Sequence, residues 1–205
     1  MLDHLVYAVP DLEAAIRELG GRYGVVPEFG GAHPGRGTAN ALLALGPMSY
    51  LEVIGPDPDQ PGPDHPRHFG IDDLRRPHLA GWAARPVDFS HQVSIARDCG
   101  YEPGDIREMD RLLPDGTRLV WRMTVGAGNR YPGIFPFLID WGDRVHPAAL
   151  APRGIRLRDF WCVHPDPQLA ARVLRVLGES VRVQRGPKAH IVARLDTPAG
   201  PLVLR

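Results

Sequence analysis

The chain has 205 residues, enough for one domain or two small ones around a buried core. Its 24 basic and 24 acidic residues cancel, so no net field draws it to nucleic acid or to anionic lipid; 43% apolar and 23% charged residues exclude fibrous and wholly disordered classes. The opening MLDHLVYAVPDL lacks the basic and long apolar regions of a secretion signal, no run approaches the roughly 18 apolar residues of a membrane span, and Cys99 and Cys162 form no disulfide or zinc-ribbon pattern, so a cytoplasmic location is expected.

One plan recurs three times along the chain: an apolar strand, a short turn carrying Asp, a helix ended by Gly, then further strands. In the first copy LDHLVYA reads as a strand, Asp11 as a helix cap, and Leu12, Ala15, Ile16 and Leu19 as a helical stripe that Gly20-Gly21 stops. TANALLALG and MSYLEVIG follow as strands, with His33 in a glycine-rich loop before them. Residues 56–77, dense in Pro, Asp and Gly, form a linker that includes His65 and His68.

In the second copy GWAARPV is the strand, Asp88 the cap, Phe89, Val93 and Ala96 the stripe, and Gly100 the stop. REMDRLL, TRLVWRMTV and IFPFLIDW are its later strands, with a hairpin at Asp115-Gly116, and Arg130 and Tyr131 lie in a loop able to clamp an anion. In the third copy LRDFWCV leads to the Asp166 cap, a stripe of Leu169, Val173 and Val176, and Gly178; SVRVQR, AHIVARL and PLVLR follow. The organisation expected is an α+β chain of βαβββ modules: residues 1–55, then 78–145 paired with the first into a cup, then a third similar module over 155–205. An odd third module needs cover from the back of the cup or from a second chain, and a homodimer is the expectation.

The block from Leu2 to Leu12, His33 with Gly37-Thr38-Ala39-Asn40-Ala41-Leu42, and Tyr50-Leu51-Glu52-Val53-Ile54-Gly55 resemble the vicinal oxygen chelate superfamily, and within it the glyoxalase-like domain proteins. The resemblance implies paired modules forming an open, barrel-like cup of the glyoxalase/dihydroxybiphenyl dioxygenase type, commonly with one divalent metal. It places His4 and Glu52 on the first two metal-ligand positions. The third falls on Trp82, with His78 four residues upstream and about 13 Å away along a strand. The fourth falls within Phe137-Leu138-Ile139-Asp140, where Asp140 is the residue able to coordinate.

Read by residue chemistry alone, His4 is either a functional imidazole or a half-buried one bonded to backbone, and Glu52 either faces a wet cavity or is a costly buried charge. One imidazole and one carboxylate with open positions suit Zn, Mn, Fe or Ni acting as a Lewis acid. His33 and Asp140 are candidates for a further ligand or substrate contact, Asn40 and Trp82 for substrate binding. No phosphate loop, dinucleotide fingerprint, HExxH pair or GxSxG elbow is present. The leading expectation is a metal-dependent lyase, isomerase or dioxygenase acting on a small oxygen-bearing molecule; the alternative is a metal-free protein that sequesters a small molecule in the same cup.

Overall fold

The fold is a computed structural model that describes residues 1–126 and 133–205; Arg130 and Tyr131 lie outside the described residues. Three helices begin where the sequence supplies an Asp with extended backbone. Asp11 caps α1 (Leu12–Tyr23) by accepting from Ala14 N–H, Asp88 caps α2 (Phe89–Asp98) through His91 N–H, and Asp166 caps α3 (Pro167–Val176) through Gln168 and Leu169 N–H. Gly20-Gly21 does not stop α1. The helix continues to Tyr23 and ends at Gly24, whose φ of 73° is left-handed, while Gly20 instead leaves room for Val26, which would stand 2.9 Å from a Cβ there.

Eight strands close into a barrel: β1 (Leu2–Ala8), β2 (Glu28–His33), β3 (Thr38–Gly46), β4 (Ser49–Pro56), β5 (His78–Ala84), β6 (Gly104–Leu112), β7 (Arg118–Gly126) and β8 (Phe137–Asp140), in the order β1-β4-β3-β2-β6-β7-β8-β5. This is the barrel-like cup expected of the paired modules, with its strands closed into a ring. β2 forms from residues whose glycines read as a loop, so His33 ends a strand. One seam is thin: β2 meets β6 through the single pair Ala32↔Leu112. Gly31 makes that approach feasible, since its φ is 134° and a Cβ would lie 2.1 Å from the Leu112 carbonyl oxygen.

The last four strands, β9 (Arg156–His164), β10 (Arg182–Arg185), β11 (His190–Thr197) and β12 (Gly200–Leu204), make a separate sheet in the order β10-β9-β11-β12. It packs on the back of the barrel within the same chain. Leu79 N–H donates to Arg205 C=O (2.8 Å), Gln92 Nε2 to Val176 C=O (2.7 Å), and the Trp82 and Phe160 rings meet edge to face at 5.1 Å. Leu5, Leu51, Val53, Trp82, Phe89, Val93, Leu174, Ile191 and Leu195 share one core. The sheet of the third module is thus covered by the back of the barrel, one of the two covers expected for it. No described helix is long and apolar enough to cross a membrane.

Both cysteines are free, Cys99 exposed and Cys162 buried, and burial pushes the Cys162 thiol up to about 12. Native protein treated with a thiol reagent at pH 8 is expected to label at Cys99 alone, and at both sites in denaturant. Gly31→Ala is expected to cost about 1–3 kcal/mol in urea unfolding because of its backbone angle alone, with more added by the clash at the seam.

Candidate functional site

Strand alternation turns His4 of β1, Tyr50, Glu52 and Ile54 of β4, and Thr38 and Asn40 of β3 into the barrel. From the other half come Met109 and Arg111 of β6, Trp121 and Met123 of β7, and Phe137 and Ile139 of β8. These residues line a cavity of about 730 Å³. His68 and Phe69, from the linker, line it too; Phe69 sits at φ 63°, its ring 6.3 Å from that of Phe137.

His4 Nε2 faces Glu52 Oε2 at 3.7 Å, and His33 Nε2 lies 4.0 Å from Glu52 Oε1. The orientation of His4 comes from Asp3, which sits at a register shift in β1 and is fully buried. Asp3 accepts from His4 Nδ1 (2.8 Å), His146 Nε2 (3.0 Å) and Trp141 Nε1 (3.1 Å), with Arg85 Nε at 3.8 Å. Burial alone would raise its carboxyl, but the bonds from His146 and His4 outweigh burial and hold it well below the usual carboxylate range. An ionised Asp3 fixes the proton of His4 on Nδ1. In the neutral ring Nε2 then carries the lone pair, aimed at Glu52. The imidazole is clamped by stacking on Tyr50 (4.6 Å) and by the edge of Phe137 (5.4 Å).

Asn40 holds the other side of Glu52: its Nδ2 donates to Oε1 at 2.6 Å, and its Oδ1 accepts from Arg111 Nη1 at 3.0 Å. His33 has Nδ1 against Thr38 Oγ1 (3.0 Å) and is buried; burial, with the repulsion of Arg111 and Arg36, outweighs the pull of Glu52 and lowers it to about 4. It is neutral at neutral pH. Of the residues singled out from sequence, His4, His33, Asn40 and Glu52 meet here.

Trp82 and Asp140 do not. Trp82 borders the cavity, but it pairs with the outward-facing Leu5 and packs in the core behind the barrel, its indole donating to Ile134 C=O at 2.9 Å. Asp140 is ion-paired with Arg122 and accepts from Gly142 N–H (2.9 Å). The helix caps correct the correspondence between the two halves. His4 lies seven residues before Asp11, and Gly81 seven before Asp88; Val6 pairs with Glu52, and its counterpart Ala83 pairs with Phe137. Gly81 and Phe137 therefore stand where the second half would supply ligands.

Sequence reading missed Asp3, His146 and Arg111. Only the inward phase of Met109 and Arg111 along β6 carried a signal, and it was masked by the many surface arginines.

The sequence profile of the glyoxalase-like domain family matches residues 2–178, from β1 through α3. The chain belongs to this family. It is thereby a member of the vicinal oxygen chelate superfamily, as the three sequence blocks implied. Among solved structures it is similar to a hypothetical protein from Staphylococcus aureus, with 10% identity, 100% of this chain and 98% of that one covered, and a TM-score of 0.68, a likeness of fold. It is also similar to methylmalonyl-CoA epimerase from Mycobacterium tuberculosis (22% identity, 67% and 84% covered, TM-score 0.41). A third is the Streptomyces coelicolor methylmalonyl-CoA epimerase variant E43L in complex with 2-nitronate-propionyl-CoA (18% identity, 71% and 96% covered, TM-score 0.45). No curated protein sequence matches at a significant level.

Among the described residues no group of three or more His, Cys, Asp or Glu is arranged to hold a metal ion. The donor chemistry of this glyoxalase-like site is a pair, His4 Nε2 and Glu52 Oε2. Two donors about 2.1 Å from one ion would sit about 3.0–3.4 Å apart, so 3.7 Å asks for a small approach. The pair fits two ligands of a divalent ion, not a four-ligand cage.

Asp3→Ala would leave the protons of His4, His146 and Trp141 without their acceptor. It is expected to destabilise the protein by about 3–5 kcal/mol in urea unfolding. The Asp3 carboxyl is depressed, so its contribution is complete above the unfolded carboxylate range near pH 4 and is lost as pH falls below it. The Asp3→Ala penalty should shrink on acidification from pH 6 to pH 3.

Proposed function

We propose that this glyoxalase-like protein is an enzyme acting on a small oxygen-bearing molecule in the barrel cavity, with His4 and Glu52 holding a divalent ion. The observation that carries this reading is the 3.7 Å approach of His4 Nε2 to Glu52 Oε2, with Asp3 bonded behind His4. A carboxylate behind a ligating histidine is the usual way to fix its tautomer and raise its basicity. When bound, the ion would polarise a substrate carbonyl or hydroxyl and stabilise negative charge formed there, the chemistry common to lyases, isomerases and ring-cleaving dioxygenases. The remaining work belongs to the chain. Asn40 pins Oε1 and so presents Oε2, Tyr50 and Phe137 keep the imidazole plane fixed, and Trp121, Met123 and Ile139 exclude water around a substrate body. His33, neutral and near Oε1, is a third donor or a proton acceptor for substrate.

A second reading is a metal-free binding protein that sequesters a ligand in the same cavity, favoured by Gly81 and Phe137 at the second-half positions. Metal analysis separates the two. Protein made without an affinity tag or chelator, and reconstituted with Zn, Mn, Fe or Ni, is expected to hold about one ion per chain, lost in both His4→Ala and Glu52→Ala. Wild-type protein that takes up no ion after reconstitution would favour sequestration.

A further inference from the structure

Among the described residues, one positive charge of the cavity lining lacks a carboxylate partner, and nothing in the reading above uses it. Arg111 is 4% exposed, lines the cavity, and has no carboxylate within ion-pair distance among the described residues. Its Nη1 donates to Asn40 Oδ1, and its Nε is buried with no partner among the described residues. Leaving a guanidinium in this state is costly, because burial strips its hydration and a neutral amide returns only part of it. The neighbouring Arg36 is spent differently: its Nη1 lies 3.6 Å from Asp110 Oδ1 and donates to Asp110 C=O at 3.2 Å.

The strand opposite is shaped around Arg111. A Cβ at Gly30 would come within 2.6 Å of Asn40 Oδ1 and 3.0 Å of Arg111 Nη1, and one at Gly31 within 3.0 Å of Arg111 Cγ. The two glycines clear the space in which the guanidinium lies. Asn40 stands between Arg111 and Glu52, bonding each, so the nearby carboxylate acts on the cation through space and forms no ion pair with it.

We propose that Arg111 binds a carboxylate of the substrate, which makes the substrate class an organic monoacid whose apolar body rests on Trp121, Met123 and Phe137. This rests on the enzyme reading in that it names the substrate of the same cavity. A planar guanidinium fork matches a carboxylate, and one cation without an ion-pair partner can take one negative charge. A doubly charged phosphate would have Glu52 close by and, among the described residues, one unpaired cation to meet it. Arg111 then anchors the acid, and the neighbouring His4–Glu52 pair meets the reacting oxygen.

The test uses the full chain in EDTA, so that binding to a metal is excluded, and reads tryptophan fluorescence on titration with benzoate against benzamide and hexanoate against hexanamide. Wild-type protein is expected to bind the acids at least about tenfold tighter than the amides. Arg111→Gln should bring that ratio near one, and Arg111→Lys should restore part of it. The melting temperature of Arg111→Gln in the absence of ligand should be equal or higher, since a buried charge is removed; a purely structural arginine would lower it. Equal binding of acid and amide by the wild type, or an undiminished ratio in Arg111→Gln, would overturn the proposal. A preference that appears only when metal replaces EDTA would also overturn it while leaving the metal reading standing. A preference kept in EDTA by protein that takes up no metal would support Arg111 and remove the metal.

Discussion

A buried carboxylate at the start of the chain organises this site. Asp3 is removed from water and stays ionised because His4, His146 and Trp141 all donate to it. Those donors come from the first strand and from the segment that follows the last barrel strand, so one charge ties the two ends of the barrel together. It also decides the chemistry of His4. With its Nδ1 proton held by Asp3, the neutral imidazole presents a lone pair to the cavity, and Glu52 is the group it faces.

The two halves of the barrel repeat one backbone plan yet carry unequal side chains. The first half supplies His4, Asn40 and Glu52; at corresponding places the second half has Gly81 and Phe137. Phe137 touches the His4 ring edge-on, and Gly81 has the Phe69 ring 3.5 Å from where a Cβ would sit. Polar groups are thus gathered on one wall and aromatic surface on the other, an arrangement suited to a substrate with an oxygen-bearing end and an apolar body. Arg111 is the second half's polar exception. It reaches the first half through Asn40, across the thin seam that Gly31 allows.

Much of this was legible because it is local. The Asp caps, the stripes of α1 and α2 and the alternating strands are written in neighbouring residues, and the spacing of His4, His33, Asn40 and Glu52 carried the family's pattern; in α3 Ala170 and Leu174 are buried, while Leu169 of the expected stripe is exposed. What escaped depends on distance or on register. Glycines 30 and 31 suggested a loop, whereas they belong to a strand that crosses closely over Arg111. Trp82 sat one position from Gly81 in the repeat, and a one-residue shift turns a side chain to the opposite face, so an apparent ligand position became a core tryptophan. The role of Asp3 requires His146, far along the chain, and no spacing rule joins them.

The most direct measurement is the tautomer of each histidine by nitrogen-15 NMR of the imidazole rings in metal-free protein at neutral pH. Two histidines share the Asp3 carboxylate through different nitrogens: His4 through Nδ1, and His146 through Nε2, with its Nδ1 accepting from Ala148 N–H. The account predicts His4 protonated on Nδ1 with a bare Nε2, and His146 the reverse. A His4 carrying its proton on Nε2 would turn an N–H toward Glu52 and contradict it.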